Sequence, residues 1–542
     1  MTAAQLNAGD TAWLLVSTAL VMLMTPGLGL FYGGMVRSKN VLATVMKCLL
    51  VLALISVQWV LFGYSLAFGP DQNGLIGNLV WWGFRGVGGQ PNPDYAATVP
   101  HAVYAMFQGM FAVITPALIA GAVAERMRLS AFALFVLLWA TFVYDPIAHW
   151  VWAKGGWLRE LGALDFAGGT VVHINSGVAG LVAALMVGKR LGYGREPMPP
   201  HNVPLILLGT ALLWFGWFGF NAGSAVAANA SAAYAFTNTH TATAAAMLGW
   251  AFGEWLQRSK PTALGIASGA VAGLVAITPA AGFVSPLSSI AIGFVAGWLC
   301  CYAVRLKEVL HFDDALDVFG IHGVGGMWGA LATGIFAQKA IGGASGWIEG
   351  NGMQMLYQLA GIGATLLYSG AATAVILRIV ELLMGRLRVT EEQEVEGLDI
   401  HETGMEAYPE AAIFGGRPVT ASLMAERPTV AERPTALPAL PAVSSQPIPV
   451  SPPPPTASER RLYSIILENA NTERTKRRWE RLCHEPQQAP PEFHEVYRHL
   501  VSFDGREFVF RGGDPERMRR AVERLFEGYL GVGAKVTVEM SV

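Results

Sequence analysis

Two segments of the chain repeat one arrangement of residue types that can handle a proton. Asp165 precedes His173 by eight positions, and Gly177 and Gly180 follow the histidine at four and seven; Asp314 precedes His322 by eight, and Gly326 and Gly329 follow at the same offsets. Each copy lies inside an apolar run. A histidine in that setting is tolerable when neutral and hydrogen bonded, and ionisable side chains within a bilayer mark conduction paths. Two imidazoles brought together can share one proton between ring nitrogens and offer a donor or an acceptor to a small polar molecule. Glycines one turn beyond let the carrying helices come close. Two other readings stay open on the residues alone: a structural pair that satisfies itself, and a bis-histidine haem or metal site, for which no supporting cysteine or carboxylate cluster lies nearby.

The elements that must position these residues are read from hydropathy. The chain has 542 residues, 53% hydrophobic and only 14% charged, which is a membrane profile. Its net charge of -2 shows no nucleic-acid-binding character. The four cysteines (Cys48, Cys300, Cys301, Cys483) are too scattered for a metal knuckle or a disulfide framework. No basic segment precedes a short apolar core at the start, so the first run is expected to be a spanning helix rather than a cleaved leader. Long apolar runs recur at roughly 12–35, 41–68, 99–123, 130–150, 166–188, 203–222, 231–256, 262–280, 287–304, 318–337 and 353–384. At 1.5 Å per residue these predict eleven crossings.

The histidine segments fall in the fifth and tenth runs, five helices apart. An odd number of helices per half requires the halves to be oppositely oriented, and such inverted repeats place paired residues near the midplane. The expected fold is therefore all-α and polytopic: two inverted five-helix repeats plus one long final helix. Gly265, Gly269 and Gly273 show the small-residue spacing of closely packed membrane helices. Lys and Arg concentrate in the odd-numbered connections (Arg37, Lys39, Arg126, Arg128, Lys189, Arg190 among them), which puts the N-terminus outside and the C-terminus in the cytoplasm.

After the transmembrane domain (1–388) the character changes. Residues 389–410 are acidic and polar, and 411–457 form a Pro/Ala-rich linker. Residues 458–542 are expected to form a small α+β soluble domain, with 458–483 helical, 506–511 and 535–540 as strands, and a helix starting at Asp514 and Pro515. The basic stretch 473–481 reads as a solvated helix face.

Several stretches together resemble the ammonium transporter (Amt/Mep/Rh) family: ALDFAGGTVVHINSGVAGL (163–181), GWFGFNAGSA (216–225), FYGGMVRSKN (31–40), FGIHGVGGMWG (319–329) and the tail EEQEVEGLDIHETGMEAY (391–408). The likeness runs from about 11 to 410. It implies a bacterial inner-membrane homotrimer with one pore per subunit, which takes up ammonium and is neither an enzyme nor a holder of a cofactor or metal. Matched by motif, Phe107, Trp152 and Ser224 would form an outer ammonium-binding site, Phe111 and Phe220 a gate, Trp217 a pore wall, and His173 and His322 the pore centre. Asp165 would orient its helix rather than bind the ion. Asp145, in YDPIAHW (144–150), either adds local negative potential or faces a polar loop. The tail implies contact with a PII-type signalling protein, and the appended domain leaves a second reading, an ammonium sensor that signals through it. Nucleic acid is not expected as a partner.

Overall fold

The structure, a computed structural model, describes residues 5–408 and parts of 462–540. It divides into two compact units, Met1–Ala407 and Tyr408–Val542. Among the described residues of the first, eight helical stretches are long and apolar enough to cross a membrane: Ala8–Met35, Ser38–Phe68, His101–Ile119, Leu129–Leu161, Gly169–Val187, Val203–Gly223, Pro286–Val309 and Met353–Met384. Three further helices pack among them. Ala230–Arg258 is long but richer in polar residues, Ala263–Ile277 is short, and the turn Phe319–Gly323 runs directly into Val324–Phe336.

Local chemistry sets many of the helix starts. Asn7, Asn202, Thr262 and Ser285 each accept a backbone N–H with their side chains, and prolines stand in the first turn after Asn202 and Ser285. The glycine row on Ala263–Ile277 has the packing role its spacing predicts. A Cβ on Gly269 would lie 2.7 Å from the Cβ of Trp250, and one on Gly273 2.6 Å from that of Ala246, so the helix beds directly on Ala230–Arg258.

Two of the helices without caps of their own are capped from far along the chain. Neither Asn40, before Val41–Gln58, nor Arg128, before Leu129–Trp139, accepts a helix N–H with its side chain. The acidic tail supplies what is missing. Asp399 accepts from Ala43 N at 2.8 Å, and Glu402 accepts from Leu129 N at 2.7 Å. Glu394, buried, accepts from Leu191 N at 2.7 Å and pairs with Arg388. Carboxylates at helix N-termini satisfy orphan donors and complement the helix dipole. The tail is thus a strap fastened to helix ends from distant parts of the chain.

Beside the strap lies a buried ionic cluster. Arg190 donates to both oxygens of Asp313 (2.9 Å each) and to Glu125 at 2.8 Å, and Arg37 binds Glu125 from the other side at 3.0 Å. Burial alone would push the Glu125 carboxyl up, but the Arg190 and Arg37 guanidinia outweigh it and hold Glu125 at about 2. Asp313 is likewise held below its ordinary value: burial opposes this, and the hydrogen bonds from Arg190 prevail.

In the second unit, four strands form an antiparallel sheet in the order Leu500–Phe503, Glu507–Arg511, Leu462–Glu468, Lys535–Met540. The helix Pro515–Leu525, capped by Asp514, contributes Met518, Val522 and Leu525 to a core with Ile465, Leu467, Phe508 and Phe510. One expectation is corrected here. Residues 462–468 are a strand rather than part of a helix, because LYSIILE pairs on both edges, with Glu507–Arg511 and with Lys535–Met540. The linker 411–457 and the basic residues expected on a helix face at 473–481 lie outside the described residues.

Two predictions follow from the strap and the cluster. Asp399→Ala and Glu402→Ala should each lower unfolding stability by about 0.5–2 kcal/mol, the usual loss of a helix cap; thermal unfolding in detergent measures this, and an unchanged midpoint would refute the capping role. Glu125 has a depressed folded-state value, so its contribution is present above its ordinary value of 4.5 and is lost as pH falls towards about 2. Stability measured across that window should fall more steeply for the wild type than for Glu125→Gln.

Candidate functional site

The duplicated motif is duplicated in three dimensions. His173 lies in a widened helical turn, Gly169–Ile174, that feeds the helix Asn175–Val187; His322 lies in another, Phe319–Gly323, that feeds Val324–Phe336. Such turns leave the regular helical hydrogen-bond ladder and mark functional positions in many proteins. The aspartate eight residues before each histidine holds its turn. Asp165 accepts from the backbone N–H groups of Gly168, Gly169, Thr170 and Val171 at 2.7–3.2 Å, two on each oxygen. Asp314 accepts from Phe319 N at 2.7 Å.

The glycine four residues after each histidine faces the opposite copy. A Cβ on Gly177 would lie 2.3 Å from the backbone N of Gly323, and one on Gly326 would lie 3.1 Å from both Gly169 O and the Cβ of His173. This approach sets the imidazoles together. Their Nδ1 atoms are 3.3 Å apart, so one ring donates to the other. Both residues are buried, and among the described residues the Nε2 of His173 has no hydrogen-bond partner. Among the described residues no acidic side chain pairs with either ring, and a charge in such an apolar place is strongly disfavoured.

Beside the pair runs a narrow void of about 10 Å³, lined chiefly by apolar side chains such as Leu28, Ile114, Val172 and Val271, with Trp217 and Phe220 above the rings. That is room for roughly one water. Trp217 stacks on His173 (ring centroids 5.4 Å apart), and its indole donates to Thr278 Oγ1 at 2.9 Å. The one Thr278 hydroxyl proton is shared between Leu274 O at 2.7 Å and Asn221 Oδ1 at 3.2 Å. Thr278 and Asn221 thus fix the tryptophan that flanks the histidine, and nothing in the local sequence singled them out, because the two lie on different helices.

Phe111 and Phe220 come next, with centroids 4.2 Å apart and 30° between their planes. Beyond them opens a cavity of about 240 Å³, with Trp152, Ser224, Gln108 and Asp165 among its walls. Trp152 meets Phe111 edge-on at 5.8 Å, and its indole donates to Asp165 O. The Ser224 hydroxyl donates to Phe220 O at 2.9 Å, leaving its lone pairs free to accept. Phe107 is set back from this cavity. It is fully buried, packs edge-on against Phe111 at 5.0 Å, and is not among the cavity walls. Asp145 faces no polar loop: it is fully buried within its helix and hydrogen bonds to Gln58.

Apolar helices of spanning length enclosing two buried imidazoles beneath an aromatic constriction define the class, a polytopic membrane transporter fold. Comparison with known proteins narrows it. The Ammonium Transporter Family profile matches residues 12–408. An ammonium transporter of Bacillus subtilis is 53% identical over 409 residues, covering 75% of this chain and all of that one. Ammonium transporter Amt1 of Archaeoglobus fulgidus is 45% identical over 403 residues, covering 74% and 100%. The crystal structure of Saccharomyces cerevisiae Mep2 superposes with a TM-score of 0.67 at 42% identity, over 71% of this chain and 91% of that one. A solved structure named as a sensor Amt protein is also similar, at 30% identity and a TM-score of 0.68, over 73% and 98%. The chain belongs to the ammonium transporter family.

The two glycine contacts differ in a way that can be tested. Gly177→Ala forces a methyl into backbone and should be strongly destabilising, in the range of about 1–3 kcal/mol expected for overpacking. Gly326→Ala meets its neighbours at 3.0–3.1 Å and should be milder. Unfolding midpoints of the two variants in detergent decide this, and equal losses would contradict the geometry.

Proposed function

We propose that the protein conducts ammonium nitrogen across the membrane by splitting the ion, with ammonia passing along the apolar void and the proton following the histidine pair. The observation that carries this reading is the 3.3 Å contact between the two imidazoles beside a narrow, apolar void. A unit charge at mid-bilayer costs at least about 2.5–3.5 kcal/mol on lenient scales, and phenyl rings replace little of its hydration. A neutral molecule avoids that penalty. The proton needs its own carriers, and two imidazoles in hydrogen-bond contact can hand it on.

Recruitment falls to the wide cavity. The Trp152 ring offers a cation–π face, worth about 0.5–2 kcal/mol as the ion desolvates, and the Ser224 lone pairs replace one lost water. Phe107 contributes from behind by supporting Phe111. Phe111 and Phe220 act as a gate that parts for one small molecule at a time. Asp165 acts through backbone geometry, since both of its oxygens are already engaged. The reading includes eleven crossings in two inverted five-helix repeats plus a last long helix, with the N-terminus outside. It further includes a homotrimeric assembly, a cytoplasmic α+β domain at 458–542, and a PII-type partner at the tail-side face.

Sensing through the appended domain is the second reading, supported by the similarity to a protein named as a sensor and by the extension past residue 408. The pore histidines favour transport. In proteoliposomes holding the full-length protein, an inward ammonium gradient should drive a current that His173→Ala abolishes or reduces at least tenfold. Full current in that variant would overturn the proton route. Absence of any uptake by the correctly inserted wild type would favour sensing.

A further inference from the structure

Asp145 has no place in the pore, yet it is a fully buried carboxyl in the middle of a membrane-spanning stretch. Among the described residues its hydrogen-bond partner is Gln58, whose Nε2 donates to Asp145 Oδ2 at 2.8 Å. The remaining oxygens of this pair, Asp145 Oδ1 and Gln58 Oε1, are both buried and both without a partner. Two unpartnered acceptors on side chains that already share one hydrogen bond have a simple resolution. A single proton on Oδ1, directed at Oε1, satisfies both atoms and closes a ring of two hydrogen bonds.

The surroundings agree. Among the described residues no lysine, arginine or second carboxylate hydrogen bonds or ion-pairs with Asp145. The titratable groups on the elements packed against this stretch and around Gln58 include Tyr144 and His149 of its own stretch, Tyr64 of Tyr64–Phe68, His101 and Tyr104 of His101–Ile119, Lys47 and Cys48 of Val41–Gln58, His173 of Gly169–Ile174 and Tyr368 of Met353–Met384. His149 directs its ring nitrogens to Ala67 O and Asp71, and Tyr64 bonds to His101. An isolated carboxylate there would be an uncompensated buried charge, which is costly. The backbone is also built for the pair. Gln58 stands immediately before one widened turn, Trp59–Gly63, and Asp145 immediately after another, Ala140–Tyr144. Gly63 leaves the amide its space, since a Cβ there would lie 2.5 Å from Gln58 Oε1.

We propose that Asp145 is a neutral carboxylic acid closed into a cyclic pair with Gln58, a proton-holding site separate from the pore histidines. The pair also stands beside the cavity wall. Trp59, next to Gln58, donates its indole N–H to Ala105 O at 2.8 Å, on the helix whose Tyr104 and Gln108 line the cavity. Asp145 is therefore a positioning residue.

Infrared difference spectroscopy of the full-length protein in lipid at neutral pH tests this without reference to transport. The wild type should show a protonated-carboxyl carbonyl band that Asp145→Asn removes. Gln58→Leu, which deletes the donor to Oδ2, should shift that band to higher frequency. Ammonium uptake should survive in Asp145→Asn, whose amide N–H replaces the acid O–H, and should fall several-fold in Asp145→Ala. A spectrum in which Asp145→Asn removes no such band, a band unmoved by Gln58→Leu, or an Asn variant as impaired as the Ala variant would each overturn the proposal.

Discussion

The structure turns on placing two imidazoles in contact inside an apolar bundle without a counter-charge. Neither ring can be charged cheaply there, and neither can be left without a hydrogen-bond partner, so the rings must meet at hydrogen-bond distance. That distance is set by backbone rather than by side-chain flexibility. Each histidine sits in a widened turn held by an aspartate eight residues earlier, and each turn is pressed onto its counterpart by a glycine with no Cβ to keep them apart. The aromatic stack above and the narrow void beside the rings follow from this contact, because Trp217 and Phe220 rest on His173 itself.

A contact this exacting needs helices that do not slide, and the far ends of the bundle are where sliding would start. There the tail carboxylates cap Val41–Gln58 and Leu129–Trp139, while Arg190 ties together Glu125 and Asp313. Arg126 adds to the same junction by donating to Gly188 O and Asp313 O. Asp313 is the immediate neighbour of Asp314, the residue that holds the His322 turn. A shift of the tail therefore has a short covalent and hydrogen-bonded route to one of the two pore histidines. Buried ion pairs of this kind contribute little net stability against an apolar core, but breaking one partner is severe. That asymmetry suits a junction whose geometry must hold.

How much of this was legible in the residues depended on whether the signal was local. The histidine pair could be read because its spacing occurs twice, and the apolar runs could be read because a spanning helix writes its length into composition. Met353–Met384 matches its run to the residue. The caps of Val41–Gln58 and Leu129–Trp139 could not be read, since their partners lie more than 270 positions away and the local residues, Asn40 and Arg128, give no hint that their own side chains bond elsewhere, Asn40 to Glu125 and Leu398 N and Arg128 to Met384 O. The strand Leu462–Glu468 reads as helix in sequence for a related reason. A short apolar run is ambiguous in period, and only its two neighbours across the sheet decide it. Phe107 illustrates a third limit: a motif can identify a residue at a cavity's level without saying whether its ring lines the cavity or supports one that does.

Asp145 shows why composition alone misjudges buried polar groups. Read in sequence, an aspartate before a proline suggests a turn or a surface, and its negative charge suggests an attraction for cations. In the fold it lies within a continuous helical stretch, with Pro146 in the first helical turn after it, where the missing N–H does no harm. Among the described residues its side-chain partner is an amide rather than a cation. Whether such a carboxyl attracts cations depends on whether it keeps its proton, and that depends on atoms contributed by Gln58 from another helix. The same logic separates three aspartates of the bundle. Asp165 has backbone N–H donors on both oxygens, Asp313 has a guanidinium, and Asp145 has half an amide's hydrogen bonds and an orphaned oxygen. A carboxylate suits the first two environments, and a carboxylic acid suits the third.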